Sequence, residues 1–152
     1  SKSVATGLRV GFIAAPLEWV KKLERTIMAT TWNVPGVMSA IAVGWIEDGT
    51  VAQLEAQKRQ DARARQALAA QVLKGVPYIS HPSSYFLWLP LGDEARADQV
   101  AMALQREQIS VSTAEPFAVS ATVPHALRLA LGSVSMAALG EALLKVREAV
   151  RW

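Results

Sequence analysis

The sequence predicts an α+β domain in which a small, mostly antiparallel sheet is covered on one face by helices. Three observations predict it. Apolar residues recur at helical spacing through most of the first half, short aromatic or alternating runs bounded by Pro and Gly gather in the second half, and an amphipathic helix ends the chain. At 152 residues there is chain enough for one well-buried core.

Read in order, Leu8 to Ile13 is expected to be extended, with Arg9 and Gly11 on one face and Leu8, Val10 and Phe12 on the other. Glu18 to Met28 carries Trp19, Val20, Leu23 and Ile27 at helical spacing. Thr30 to Gly36 breaks that helix with hydroxyls, Asn, Pro and Gly. A second helix runs from about Val37 to Glu47 and stops at Asp48-Gly49. Thr50 is placed to cap a long third helix that ends at Lys74-Gly75 and whose middle, Gln57 to Arg65, reads as a solvated polar stretch.

The character changes between Gly75 and Pro82, where a boundary is expected: residues 1–75 form one part and 76–152 the other. Tyr85 to Leu91 is an aromatic strand closed by Pro90 and Gly92, Asp93 to Glu107 a helix, and Ile109 to Thr113 a short strand. After a loop containing Phe117 comes the strand Ala126 to Leu131. Ser135 then caps the final helix, with Leu139, Leu143, Val146 and Val150 on one stripe.

Composition removes several function classes. The net charge of +3 is small and its basic residues are scattered, so there is no concentrated nucleic-acid footprint. There is no cysteine, which excludes disulfides and thiolate metal sites and fits a reducing cytoplasm. His81 and His125 are too few and too isolated to suggest zinc. No apolar run is long enough to span a bilayer. Half the residues are hydrophobic, so part of the surface is expected to meet another domain or subunit.

Two places carry chemistry. At the start, Lys2 stands beside the hydroxyls of Ser1 and Ser3, with Thr6 and Arg9 following. A lysine that loses its proton readily condenses with an aldehyde, and hydroxyls, turn amides and a guanidinium hold a phosphate. The same residues also fit a frayed terminal lysine and an ordinary strand charge. Near the end, Arg128 lies between Ala126 and Ala130 on one face of a strand whose other face is Leu127, Leu129 and Leu131. A guanidinium with such small neighbours has room to present its fork to a carboxylate; a salt-bridged edge-strand arginine is the other reading.

The segment from Ser1-Lys2 to Gly7-Leu8-Arg9 and Gly11 resembles the lysine segment of fold-type I pyridoxal-phosphate enzymes, the aspartate aminotransferase superfamily. The resemblance implies a covalent link between Lys2 and the cofactor aldehyde, with Ser1 and Arg9 on the cofactor phosphate. It also implies that Arg128, in its L-R-L strand, binds the α-carboxylate of an amino-acid-like ligand, with Phe117 in the loop before that strand.

Trp45 to Thr50, the helix Ala62 to Ala69, and His81-Pro82 followed by Phe86 to Pro90 are similar to MocR-type regulators of the GntR family. Such proteins join an N-terminal winged-helix DNA-binding domain to an aminotransferase-like domain. The chain is then expected to be the C-terminal part of one, the end of the cofactor-binding subdomain plus the small domain. It would sense pyridoxal phosphate and an amino-acid-like effector and contact DNA only through the preceding domain. A cytoplasmic homodimer is implied, with the Thr30 to Asn33 turn near the neighbouring cofactor. Because fold-type I sites also draw on groups upstream of the lysine, neither efficient turnover nor a complete cofactor site is expected from this chain by itself. The alternatives are the C-terminal part of a true class I/II aminotransferase, in which Lys2 also moves the proton, and an interaction module that binds no cofactor.

Overall fold

The computed structural model describes residues 4–92 and 95–150. Two compact units share the chain, one reaching to Lys58 and the other starting at Arg59.

The first unit opens with a single 3-10 turn, Thr6–Leu8, and continues without regular structure to Pro16. Arg9 ends that turn at φ 53° and ψ 30°, in the left-handed region. The extended reading of Leu8 to Ile13 is therefore corrected: alternation of side chains requires β dihedrals, and the Arg9 backbone reverses before any alternation can begin. Helix α1 spans Leu17–Thr30 and α2 spans Gly36–Glu47, each entered directly after a proline, Pro16 and Pro35. Asp48 then makes the cap that was assigned to Thr50. Its carboxylate accepts the Thr50 amide at 2.9 Å, and Thr50 becomes the first residue of α3, Thr50–Val72. Gly49 supplies the positive φ, 83°, that the tight link between α2 and α3 requires. Ala42 is the one described residue of this unit that is fully buried, while Phe12, Leu17, Trp32 and Val37 are all well exposed.

The second unit holds the sheet and the core. Strand β1 is Ile79–Ser80, β2 Phe86–Pro90, β3 Ser112–Thr113 and β4 Ala126–Ala130; the order is β1-β2-β4-β3 and every pairing is antiparallel. Residues 109–111 lie outside β3, leaving only two residues of the expected strand to pair with β4. Helix α4 spans Ala97–Arg106, and the expected start at Asp93 falls outside the described residues. Helix α5, Met136–Ala149, is capped by Ser135, whose hydroxyl accepts the Ala138 amide as the sequence predicted.

One face of the sheet is dry. Leu87, Leu89, Leu127 and Leu129 pack with Ala69 and Leu73 of α3 and its end, with Val100 and Leu104 of α4, and with Leu139, Leu143 and Val146 of α5. The opposite face carries Phe86, Trp88, Arg128 and Ala130, none fully buried, with Ala126 buried at one end of β4. This is the α+β arrangement read from the sequence, with helices on one side only. The period-2 alternation that buries four leucines necessarily presents Arg128 on the uncovered side.

Candidate functional site

Arg128 sits at the centre of the open face. Across the sheet it pairs with Trp88 of β2 on one side and Ser112 of β3 on the other. Strand β4 is thus internal, which removes the edge-strand reading. No ion pair or hydrogen bond holds the guanidinium among the described residues. What touches it is aromatic: Cζ lies 3.8 Å from the centre of the Phe86 ring and 5.3 Å from that of Phe117. Phe86 comes from β2, and Phe117 from the 3-10 turn Glu115–Phe117 that follows β3. The two rings therefore reach Arg128 from separate elements, β2 and the turn after β3. A half-buried cation with unclaimed N–H donors is an anion site in waiting, and a fork of parallel donors suits a carboxylate.

The backbone just after Arg128 is fixed by a network that sequence reasoning missed. Arg65 of α3, with a side chain only 12% exposed, donates through one terminal nitrogen to the carbonyls of Leu131 and Val134, both at 2.7 Å. Its Nε donates to Asp61 at 2.8 Å, and the same carboxylate oxygen accepts the Tyr85 hydroxyl at 2.8 Å. The Tyr85 carbonyl in turn accepts the Leu131 amide at 2.7 Å. The Arg65 hydrogen bond, followed by that of Tyr85, holds the Asp61 carboxyl below the usual carboxylate range; burial, followed by the Asp61 hydrogen bond, pushes the Tyr85 phenol up. Gly132 lies so close that a Cβ there would sit 2.8 Å from the Tyr85 ring.

The reading of Gln57 to Arg65 as a solvated stretch holds for Gln57, Arg59, Gln60, Arg63 and Ala64, which are exposed, and is corrected for two residues: Ala62 is fully buried and Arg65 donates to the β4–α5 connection. The available signal was the i,i+4 spacing of Asp61 and Arg65, which puts the two on one face of a helix. Gln66, also buried, donates its amide to the carbonyls of Ser84 and Phe86 and so tethers the start of β2 to α3.

In the first unit Arg9 is exposed and lines a cavity of about 580 Å³ with Leu8, Phe12, Trp45 and Ile46 among its walls. No described residue hydrogen-bonds or ion-pairs with its guanidinium, which leaves those donors available to a phosphate. Its left-handed backbone is a conformation that costs on the order of 1 kcal/mol or more in a non-glycine residue and gathers at functional positions. Ser1 and Lys2 lie outside the described residues. Arg9 and Arg128 belong to different units.

His81 is exposed and accepts the Ser83 amide at Nδ1, 3.2 Å. Among the described residues no group of three or more His, Cys, Asp or Glu is placed to hold a metal, and no helix is long and apolar enough to cross a membrane.

Comparison with known proteins agrees with this geometry. The family model for aminotransferase class I and II matches residues 1–146. An uncharacterized HTH-type transcriptional regulator of Escherichia coli K12, YdcR, is 29% identical over 122 residues, which are 77% of this chain and 26% of the regulator. Among solved structures, a kynurenine aminotransferase of Pyrococcus horikoshii superimposes with a TM-score of 0.90 at 18% identity, over 99% of this chain and 39% of that one. The α-aminoadipate aminotransferase of Thermus thermophilus gives 0.85 at 18% identity, over 99% and 40%. This chain thus spans about a quarter of the regulator and two fifths of the solved enzymes. At these identities the structural likeness speaks to the fold, which is that of the C-terminal portion of a fold-type I aminotransferase domain.

Proposed function

The chain belongs to the aminotransferase class I and II family, and we propose on that premise that it is the effector-sensing part of a DNA-binding transcriptional regulator of the MocR type. One observation carries the reading: Arg128 is a half-buried guanidinium whose donors nothing in the described chain claims. It would take the α-carboxylate of an amino-acid-like effector. The regulator relative supports placing the site in a sensor; DNA would be contacted through a separate N-terminal domain, and the protein would act as a homodimer in the cytoplasm.

The cofactor assignment has the same status. Arg9 suits a phosphate, since it stands at the wall of a cavity and no described residue claims its guanidinium. Ser1, on the same phosphate, and Lys2, as the residue that would link to the aldehyde, complete the proposed cofactor set. Pyridoxal phosphate supplies an electron sink when bound. Arg9 would anchor and orient it, and Arg128 would orient the effector. Residues 1–75 would close the cofactor subdomain and 76–152 would form the small one. An effector that binds the closed arrangement better than the open one shifts the population toward it, and so the placement of the DNA-binding domain.

The family membership also supports a second reading, an aminotransferase that turns its ligand over. Two measurements on the full polypeptide separate the cases. Borohydride reduction after incubation with pyridoxal phosphate, mapped by peptide mass, should label Lys2 selectively and less so in Arg9→Ala; labelling spread over surface lysines would remove the cofactor assignment. Amino transfer from L-alanine to 2-oxoglutarate should be undetectable, and sustained turnover would make the enzyme reading the right one.

A further inference from the structure

We propose that Phe86 is a positioning residue for Arg128: its ring holds the guanidinium by one face so that every N–H donor stays free for a carboxylate. This rests on the reading of Arg128 as the effector site and adds to it how the guanidinium is ordered without its fork being filled. A long, flexible arginine on an open sheet face must be held if it is to bind with little loss of side-chain entropy. Holding it with Asp or Glu would fill the fork that the ligand needs.

The open face solves this with aromatic surface. Phe86 lies 3.8 Å from Cζ, which is contact distance for a planar cation over a ring, and Phe117, in the turn after β3, closes in at 5.3 Å. Around Arg128 the paired positions are Trp88 and Ser112, and its neighbours along the same face of β4 are Ala126 and Ala130. None of these carries a charge. The ring quadrupole attracts the cation through its face, while hydrogen bonding uses the edge in the plane, so the two interactions do not compete. Phe86 is itself 43% exposed, and its backbone carbonyl is held by Gln66 and Ser80. Its side chain can therefore be changed without opening the leucine core.

The test is a titration of the full polypeptide, labelled with 15N-arginine, with L-alanine as the probe. It follows the Arg128 Nε–Hε NMR signal, assigned by its loss in Arg128→Lys. In wild type the signal should carry a ring-current shift and move on addition of the probe. Phe86→Leu, which keeps apolar bulk but no ring face, should lose the ring-current shift and bind the probe about two- to thirtyfold more weakly, the range of a cation–π contact. Phe86→Trp should restore both. Phe86→Glu should hold the guanidinium yet abolish the response, because the new carboxylate fills the fork.

A Phe86→Leu variant that loses the shift but binds as wild type does would overturn the positioning role and leave the effector reading standing. So would a Phe86→Glu variant that binds normally. If the wild-type signal does not respond to the probe at all, the effector reading fails and this inference with it.

Discussion

Replacing Arg65 by methionine should cost the second unit about 2–5 kcal/mol, and the structure lets that figure be built contact by contact. The charged hydrogen bond to the Leu131 carbonyl, next to a fully buried side chain, is worth about 1.5–3 kcal/mol because the oxygen is left without a donor. The bond to the Val134 carbonyl lies at an exposed position where water replaces it, so about 0.5–1 kcal/mol is appropriate. The Asp61 pair, with the carboxylate side chain 45% exposed, adds at most about 1 kcal/mol after screening. Methionine keeps the apolar length of the side chain and so limits any cavity contribution. Urea unfolding followed by far-ultraviolet circular dichroism reads the change as a shift in midpoint at constant slope. Arg65→Lys, which keeps the charge but lacks the planar fork, should recover part of the loss. If Arg65→Met unfolds within about 0.5 kcal/mol of wild type, the range of ordinary surface substitutions, the network does not fix the β4–α5 connection and the argument built on its geometry is wrong.

Two further outcomes follow from the same region. Gly132→Ala drives a methyl group to 2.8 Å from the Tyr85 ring, whose hydroxyl is tied to Asp61, and should destabilise by about 1–3 kcal/mol, as overpacking does; Gly132→Ala combined with Tyr85→Leu should recover part of it in the same assay. Asp61, held below its ordinary range first by Arg65 and then by Tyr85, stabilises the fold above its unfolded value of about 4, and that stability is lost as pH falls through the lower folded value. The gap in urea midpoint between wild type and Asp61→Asn should accordingly be constant near neutrality and shrink below about pH 4; a gap that widens on acidification would reverse the sign assigned to this group.

The sheet unit was more legible than the start of the chain, and the reason is physical. Leu127, Leu129 and the capped stripe of α5 follow periodicities set by burial against a core, and that core is present within the unit, so pattern and structure agree. Arg128 was found for the same reason, since alternation fixes which face it takes. Arg9 was found as a residue type but misplaced as a strand residue, because a 3-10 turn followed by one left-handed residue leaves no period to read. Asp61 and Arg65 were passed over because charge on a helix usually faces water, and only the loop 66 residues later makes Arg65 an inside residue. The two-residue strand at Ile79–Ser80 carries too little sequence to announce itself.

The brevity of β1 and β3 has a consequence for how the molecule survives its own synthesis. The two five-residue strands lie in the middle of the sheet, and each outer border is a strand of two residues. An exposed border is where a second polypeptide adds itself by continuing the ladder, and the hazard grows with the length of unpaired backbone on offer. Here the ladder ends almost as soon as it reaches solvent. Colliding chains find no template long enough to nucleate an intermolecular sheet, even though the face bearing Phe86 and Phe117 remains open to bind.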